Sequence, residues 1–106
     1  MAEWIRLGDA AEVAEGSCRV YEVAGNPIAL FKVEGCYFAI DNACVHQGGP
    51  LAEGTIQGKT VTCPWHFWRY DLTTGKTTSS DQIGVRAYPV EVRGADVLVD
   101  VAPSKS

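Results

Sequence analysis

Cys63-Pro64-Trp65-His66-Phe67-Trp68-Arg69-Tyr70-Asp71 is the stretch that decides how this chain is read, together with Cys44-Val45-His46, which lies sixteen residues earlier. Both histidines of the 106-residue chain fall in these two segments, each separated from a cysteine by only one or two residues. Histidines placed merely to fill surface or core positions would have no reason to sit so, whereas cofactor ligation explains the placement. Each segment supplies one thiolate and one imidazole. Two facing loops could therefore present two Cys to one metal and two His to another, or all four donors to a single ion. A tetrahedral zinc usually takes its two Cys grouped together and its two His grouped together, and here they alternate. Ordinary buried residues remain the bland alternative.

Working outward, residues between Asp41 and Lys59 are rich in Gly, Pro and polar side chains with no sustained period, which predicts a long loop inside a β-rich chain. On either side the dominant signal is period-two alternation in short runs, predicting antiparallel strands with one face buried and one wet. Strands are expected at Cys18 to Val23, Ile28 to Val33 and Cys36 to Ile40, as a meander turned at Gly25-Asn26-Pro27 and Glu34-Gly35. Further strands are expected at Lys59 to Thr62, Trp68 to Leu72, Val85 to Val92 and Asp96 to Val101, with turns at Thr74-Gly75 and Arg93-Gly94-Ala95. The one helical signal is Gly8 to Val13, where Asp9 caps a single turn before Gly16 ends it. The tail Pro103 to Ser106 reads as a disordered end. Cys18 and Cys36 fall in expected strands as buried thiols with no redox role.

The chain is short enough that one domain, residues 1–106, with one modest core is expected. With 46% apolar and 21% charged residues it has an ordinary globular composition, and no run approaches the roughly 20 apolar residues of a membrane span. A net charge of −4 argues against nucleic acid as a partner and suits docking to a basic patch. Met1 to Arg6 lacks the basic run and apolar core of an export signal, so a soluble cytoplasmic protein is expected, in which four cysteines are thiols or metal ligands rather than disulfides.

The two segments and their flanks, Cys44-Val45-His46-Gln47-Gly48-Gly49-Pro50-Leu51 and Cys63 to Asp71 with Thr74-Gly75 behind, resemble the two cluster loops of bacterial Rieske ferredoxins. The resemblance implies an all-β Rieske fold, an antiparallel β-sandwich base carrying a small cluster-binding subdomain at about 42–70. It implies one [2Fe–2S] cluster, with Cys44 and Cys63 on an inner iron and His46 and His66 on an outer one near the surface, where their other ring nitrogens meet a partner. His₂ in place of Cys₂ on one iron raises the potential.

Around these ligands, Gln47, Gly48, Leu51, Pro64, Trp65, Trp68 and Tyr70 are the neighbours expected to shape the site. Gly48 and Gly49 allow close backbone approach, Leu51 and Pro64 exclude water, and Trp65 or Phe67 lies exposed beside the histidine tips as a docking patch. Quinol-oxidising Rieske proteins resemble this chain but carry a Ser where it has Trp68. They share the Tyr at Tyr70, whose hydroxyl is expected to reach the Cys44 sulfur. With one of two potential-raising hydrogen bonds left, a potential in the lower to middle part of the about −150 to +300 mV range is expected.

The resemblance further implies a one-electron carrier, not itself an enzyme, passing electrons from an NAD(P)H-dependent flavin reductase to a terminal oxygenase and working as a monomer. The alternative is a small subunit of a nitrite reductase or other multicomponent oxidoreductase, whose small subunits often lack the ligands. An oxygenase in its own right is not expected, because both histidines are already committed and a 2-His-1-carboxylate iron site cannot also be built.

Overall fold

A computed structural model describes residues 3–23, 25–42, 51–64, 68–78 and 80–101. These form twelve strands, β1 (Trp4–Asp9), β2 (Ser17–Val23), β3 (Asn26–Val33), β4 (Cys36–Asp41), β5 (Thr55–Gln57), β6 (Thr60–Thr62), β7 (Arg69–Asp71), β8 (Lys76–Thr77), β9 (Ser80–Gly84), β10 (Ala87–Tyr88), β11 (Val90–Arg93) and β12 (Asp96–Asp100). Every pairing among them is antiparallel, and three sheets result, ordered β1-β12-β11, β10-β4-β3-β2 and β5-β6-β7-β8-β9.

The expected meander is β2-β3-β4. Its second hairpin turns on Glu34 (φ 53°) and Gly35 (φ 77°), the paired left-handed conformation of a tight two-residue hairpin. The carboxylate of Glu15 accepts from both backbone N–H groups of that turn, at 2.6 Å from Glu34 and 2.9 Å from Gly35. The first hairpin is narrower than expected. Val23 pairs with Asn26, so Asn26 and Pro27 belong to β3 rather than to the turn.

The burial of β3 departs from simple alternation, because Ile28, Ala29, Leu30, Phe31 and Val33 are all buried. Both faces of its sheet are covered. Ile28 and Leu30 point into a core with Val97 and Val99 of the three-stranded sheet, and Ala29, Phe31 and Val33 point into a second core with Leu51, Val61, Cys63, Tyr70 and Leu72. A strand at the centre of three layers reads as a continuous apolar run, and each buried Leu, Ile or Phe contributes about 1.5–3 kcal/mol. The second core is where the two ligand segments are rooted.

Other expectations are corrected. Val85 to Val92 is two strands, since the chain leaves the middle sheet after Tyr88 and joins the three-stranded sheet at Val90, with Pro89 at the crossing. Proline cannot donate to a ladder, and its carbonyl instead accepts from Asp100 N–H at 3.0 Å. The stretch from Asp41 to Lys59 is not structureless, for it holds a 3₁₀ turn at Leu51–Glu53 and strand β5. Strands β1, β8 and β9 had no counterpart in the sequence reading. In β1 a bulge between Arg6 and Gly8 breaks the alternation.

The helical signal is a 3₁₀ turn at Ala10–Glu12 with a capping box, Asp9 accepting from Ala11 N–H at 2.8 Å and Glu12 accepting from Asp9 N–H at 3.3 Å. It ends at Val13, before Gly16. Cys36 is exposed rather than buried, because it opens β4 directly behind the hairpin turn. The tail from Pro103 lies outside the described residues.

Candidate metal centre

The chain on either side of each expected ligand segment is drawn together by hydrogen bonds. The first leaves β4 through Asn42, whose carbonyl accepts from Leu51 N–H at 2.7 Å and whose Oδ1 accepts from Ala52 N–H at 2.9 Å. Asparagine suits this place because its short side chain caps local backbone donors. The second loop joins β6 to β7, and Cys63 N–H donates to the Trp68 carbonyl at 2.7 Å across its base. Register carries the pinch into the sheet, where Thr62 pairs with Arg69 and Val61 with Tyr70.

The bases of the two loops share one apolar layer. Leu51, Cys63 and Tyr70 are each 0% exposed and lie in the same core, with Trp68 half-buried against it. Leu51 is therefore a core residue on the side from which both loops emerge. Pro64 is exposed. Cys44, His46, Gln47, Gly48, Trp65 and His66 lie outside the described residues, as does Phe67.

Sequence reasoning missed three contributors. Asn42 is the neck of the first loop, and an Asn two residues before a ligand cysteine was the available signal. Gly54 brings its backbone so close to Thr62 that a Cβ there would strike the Thr62 carbonyl, so only glycine fits beside the root of the second loop. Cys18 does more than fill space, because its thiol donates to the Ala52 carbonyl at 2.7 Å. Burial pushes the Cys18 pKa up, which keeps the sulfur protonated and able to donate near neutral pH.

The donor chemistry fits an iron–sulfur cluster at Cys63, the one expected ligand among the described residues. Cys63 is fully buried in one apolar layer with Leu51, Val61, Tyr70 and Leu72, where a thiolate would need a metal to offset its lost hydration. Among the described residues no group of three or more His, Cys, Asp or Glu side chains comes together to compete for a metal. Among them, too, no helix is long and apolar enough to cross a membrane.

Comparison with known proteins agrees with this arrangement. The family model of the Rieske [2Fe-2S] domain matches residues 3–89. The chain is 39% identical over 93 residues to the ferredoxin component of the p-cumate 2,3-dioxygenase system of Pseudomonas putida, covering 85% of this chain and 79% of the relative. It is 32% identical over 101 residues to the ferredoxin component of the naphthalene 1,2-dioxygenase system of Pseudomonas aeruginosa, covering 94% and 97%. Among solved structures, the ferredoxin in a complex of reduced oxygenase and oxidised ferredoxin of carbazole 1,9a-dioxygenase superposes with a TM-score of 0.86 at 27% identity, covering 97% of each chain. A nitrite reductase small subunit from Mycobacterium tuberculosis superposes with a TM-score of 0.89 at 18% identity, covering 98% and 99%, which is a likeness of fold alone.

The chain belongs to the Rieske [2Fe–2S] family. It is an electron carrier of the ferredoxin kind with one Rieske cluster, and not an enzyme.

Proposed function

We propose that Cys44 and Cys63 bind the inner iron and His46 and His66 the outer iron, and that the protein carries single electrons from an NAD(P)H-dependent flavin reductase to a terminal oxygenase. The observation that carries the assignment is the common root of the two loops, with Leu51 closing the first and Cys63 opening the second within one core. A common root in one layer supports a ligand set shared between the two loops. The oxygenase as acceptor is supported by the relatives, which are ferredoxin components of dioxygenase systems, and by the carbazole system, in which a ferredoxin is seen with its oxygenase. Residues about 42–70 form the cluster-binding subdomain of a single domain, and the protein acts in the cytoplasm as a monomer.

When bound, the cluster supplies a one-electron couple whose potential histidine ligation lifts above that of all-cysteine ferredoxins. The residues around it do the rest. Leu51 and Leu72 share the buried core with Cys63 and Tyr70, half-buried Trp68 packs against it, and the Tyr70 hydroxyl is assigned as a donor to the Cys44 sulfur. His46 and His66 present their unbound ring nitrogens to the partner, with Trp65 beside them.

Stopped-flow reduction of the purified holoprotein by NADH through a flavin reductase, followed by mixing with an aromatic-ring oxygenase, tests the assignment. The cluster absorbance should bleach in the first step and return in the second. A protein that accepts electrons from the reductase and delivers none to any oxygenase tested, but docks to a sirohaem nitrite reductase, would overturn it.

A further inference from the structure

The neck of the first loop is built more heavily than loop closure alone needs. Asn42 N–H donates to the Pro27 carbonyl at 3.0 Å, tying the neck to the central strand β3. The Asn42 carbonyl takes Leu51 N–H and its Oδ1 takes Ala52 N–H, so one residue holds both consecutive amides on the far side of the loop. Ala52 is gripped a second time, through its carbonyl, by the Cys18 thiol on β2. Gly54 N–H then donates back to the Leu51 carbonyl at 3.0 Å, fixing the 3₁₀ turn that leads into β5.

From this arrangement we propose that Asn42 is a positioning residue for the cluster, with Cys18 as its brace. Together they hold the neck of the first ligand loop so that Cys44 and His46 meet the second loop in one fixed geometry. The inference rests on the ligand assignment above. Its physical basis is that the eight residues 43–50 must be closed against chain entropy, and a clamp at the neck carries that cost instead of the metal–ligand bonds. Supporting residues locked by packing and hydrogen bonds set how well a site keeps its geometry. Asn42 is half-buried, and Leu51 beside its clamp is fully buried next to Cys63, so movement at the neck is transmitted into the layer that holds the other loop.

The test compares the holoprotein with Asn42→Leu, Asn42→Asp and Cys18→Val, reading the electron paramagnetic resonance line shape of the reduced cluster and the rate of iron loss to a chelator. Leucine keeps the volume but leaves the Ala52 N–H without an acceptor, so the resonance should broaden and iron loss accelerate about tenfold. Aspartate keeps an acceptor at Oδ1, and the variant should lose iron within about twofold of the wild-type rate. Valine at position 18 removes the sulfur donor at similar volume and should accelerate loss about threefold, with the cluster still assembled.

A wild-type line shape and rate in Asn42→Leu, or an Asn42→Asp variant as impaired as Asn42→Leu, would overturn the proposal. If Asn42→Leu fails to fold, a wild-type rate in Cys18→Val overturns it instead. Failure of the ligand assignment would appear separately, as absence of a mixed-ligand signal in the wild-type protein.

Discussion

Gly54→Ala places one methyl group against the root of the second ligand loop. A Cβ at this position would fall on the Thr62 carbonyl oxygen, with the Thr62 carbonyl carbon at 3.0 Å and Val61 Cγ2 at 3.1 Å. The obstacle is backbone and cannot swing aside as a flexible side chain would. The Thr62 carbonyl and the Cys63 N–H belong to one planar peptide unit, so tilting the carbonyl out of the way also tilts the N–H that donates to Trp68 and closes the loop.

Overpacking of this kind costs about 1–3 kcal/mol, and the weakened hydrogen bond adds about 1 kcal/mol, for a total of about 2–4 kcal/mol. At about 4–8 °C per kcal/mol for a domain near this size, the melting temperature should fall by about 10–30 °C, and iron content should fall with it. Thermal unfolding followed by circular dichroism, with iron quantified on the same samples, reads both. Gly58→Asn is the control, since Gly58 has a positive φ of 58° but open space around it, and asparagine tolerates that conformation. A Gly54→Ala protein that melts within about 3 °C of wild type and retains its full iron would refute the coupling of this contact to the loop.

Acid stability should depend on Glu15. Its carboxyl is held below the ordinary 4.5 by the backbone N–H groups of Gly35 and Glu34, so its contribution is present above that value and lost as pH falls through the lowered one. Glu15→Gln should flatten this part of the pH–stability curve, and a variant as acid-sensitive as wild type would show that the turn is held otherwise. Cys63→Ser should lose its iron while Cys36→Ser keeps it, judged by metal analysis, because Cys36 is exposed at a hairpin end and is not among the assigned ligands. Retention of iron in Cys63→Ser would remove Cys63 from the ligand set. Tyr70→Phe should lower the potential by about 20–60 mV in film voltammetry, the equivalent of one hydrogen bond for a one-electron couple. A shift within about 10 mV would mean that the Tyr70 hydroxyl serves another acceptor.

The parts of the fold legible in the sequence were those whose signals were local. The β2-β3-β4 meander and the β11-β12 hairpin across Gly94 are bounded by turn residues that need positive φ, and Gly35 and Gly94 have it at 77° and 61°. Asp9 as the cap of a single turn was readable because its signal is local too. What stayed hidden depended on the third dimension. The sequence of β3 cannot say that two different layers cover its two faces, and a bulge in β1 erases the alternation that would have revealed it. Pro89 is a local signal of the break, since a proline inside an expected strand marks an edge or a crossing.

At the candidate site, Cys63, Leu51 and Tyr70 were picked from spacing and resemblance, and the structure brings them into one core. Asn42, Gly54 and the Cys18 thiol were not picked, because each acts on a backbone group distant in sequence or visible only once the loops are closed.

Two loops with one Cys and one His each are assigned here to hold a mixed-ligand [2Fe–2S] cluster for electron transfer. An electron paramagnetic resonance spectrum of the dithionite-reduced protein, with iron and zinc assayed on the same sample, tests this assignment most directly. A single mixed-ligand signal with average g below that of all-cysteine clusters, two irons per chain and no zinc are expected. A silent sample containing zinc or no metal would contradict it.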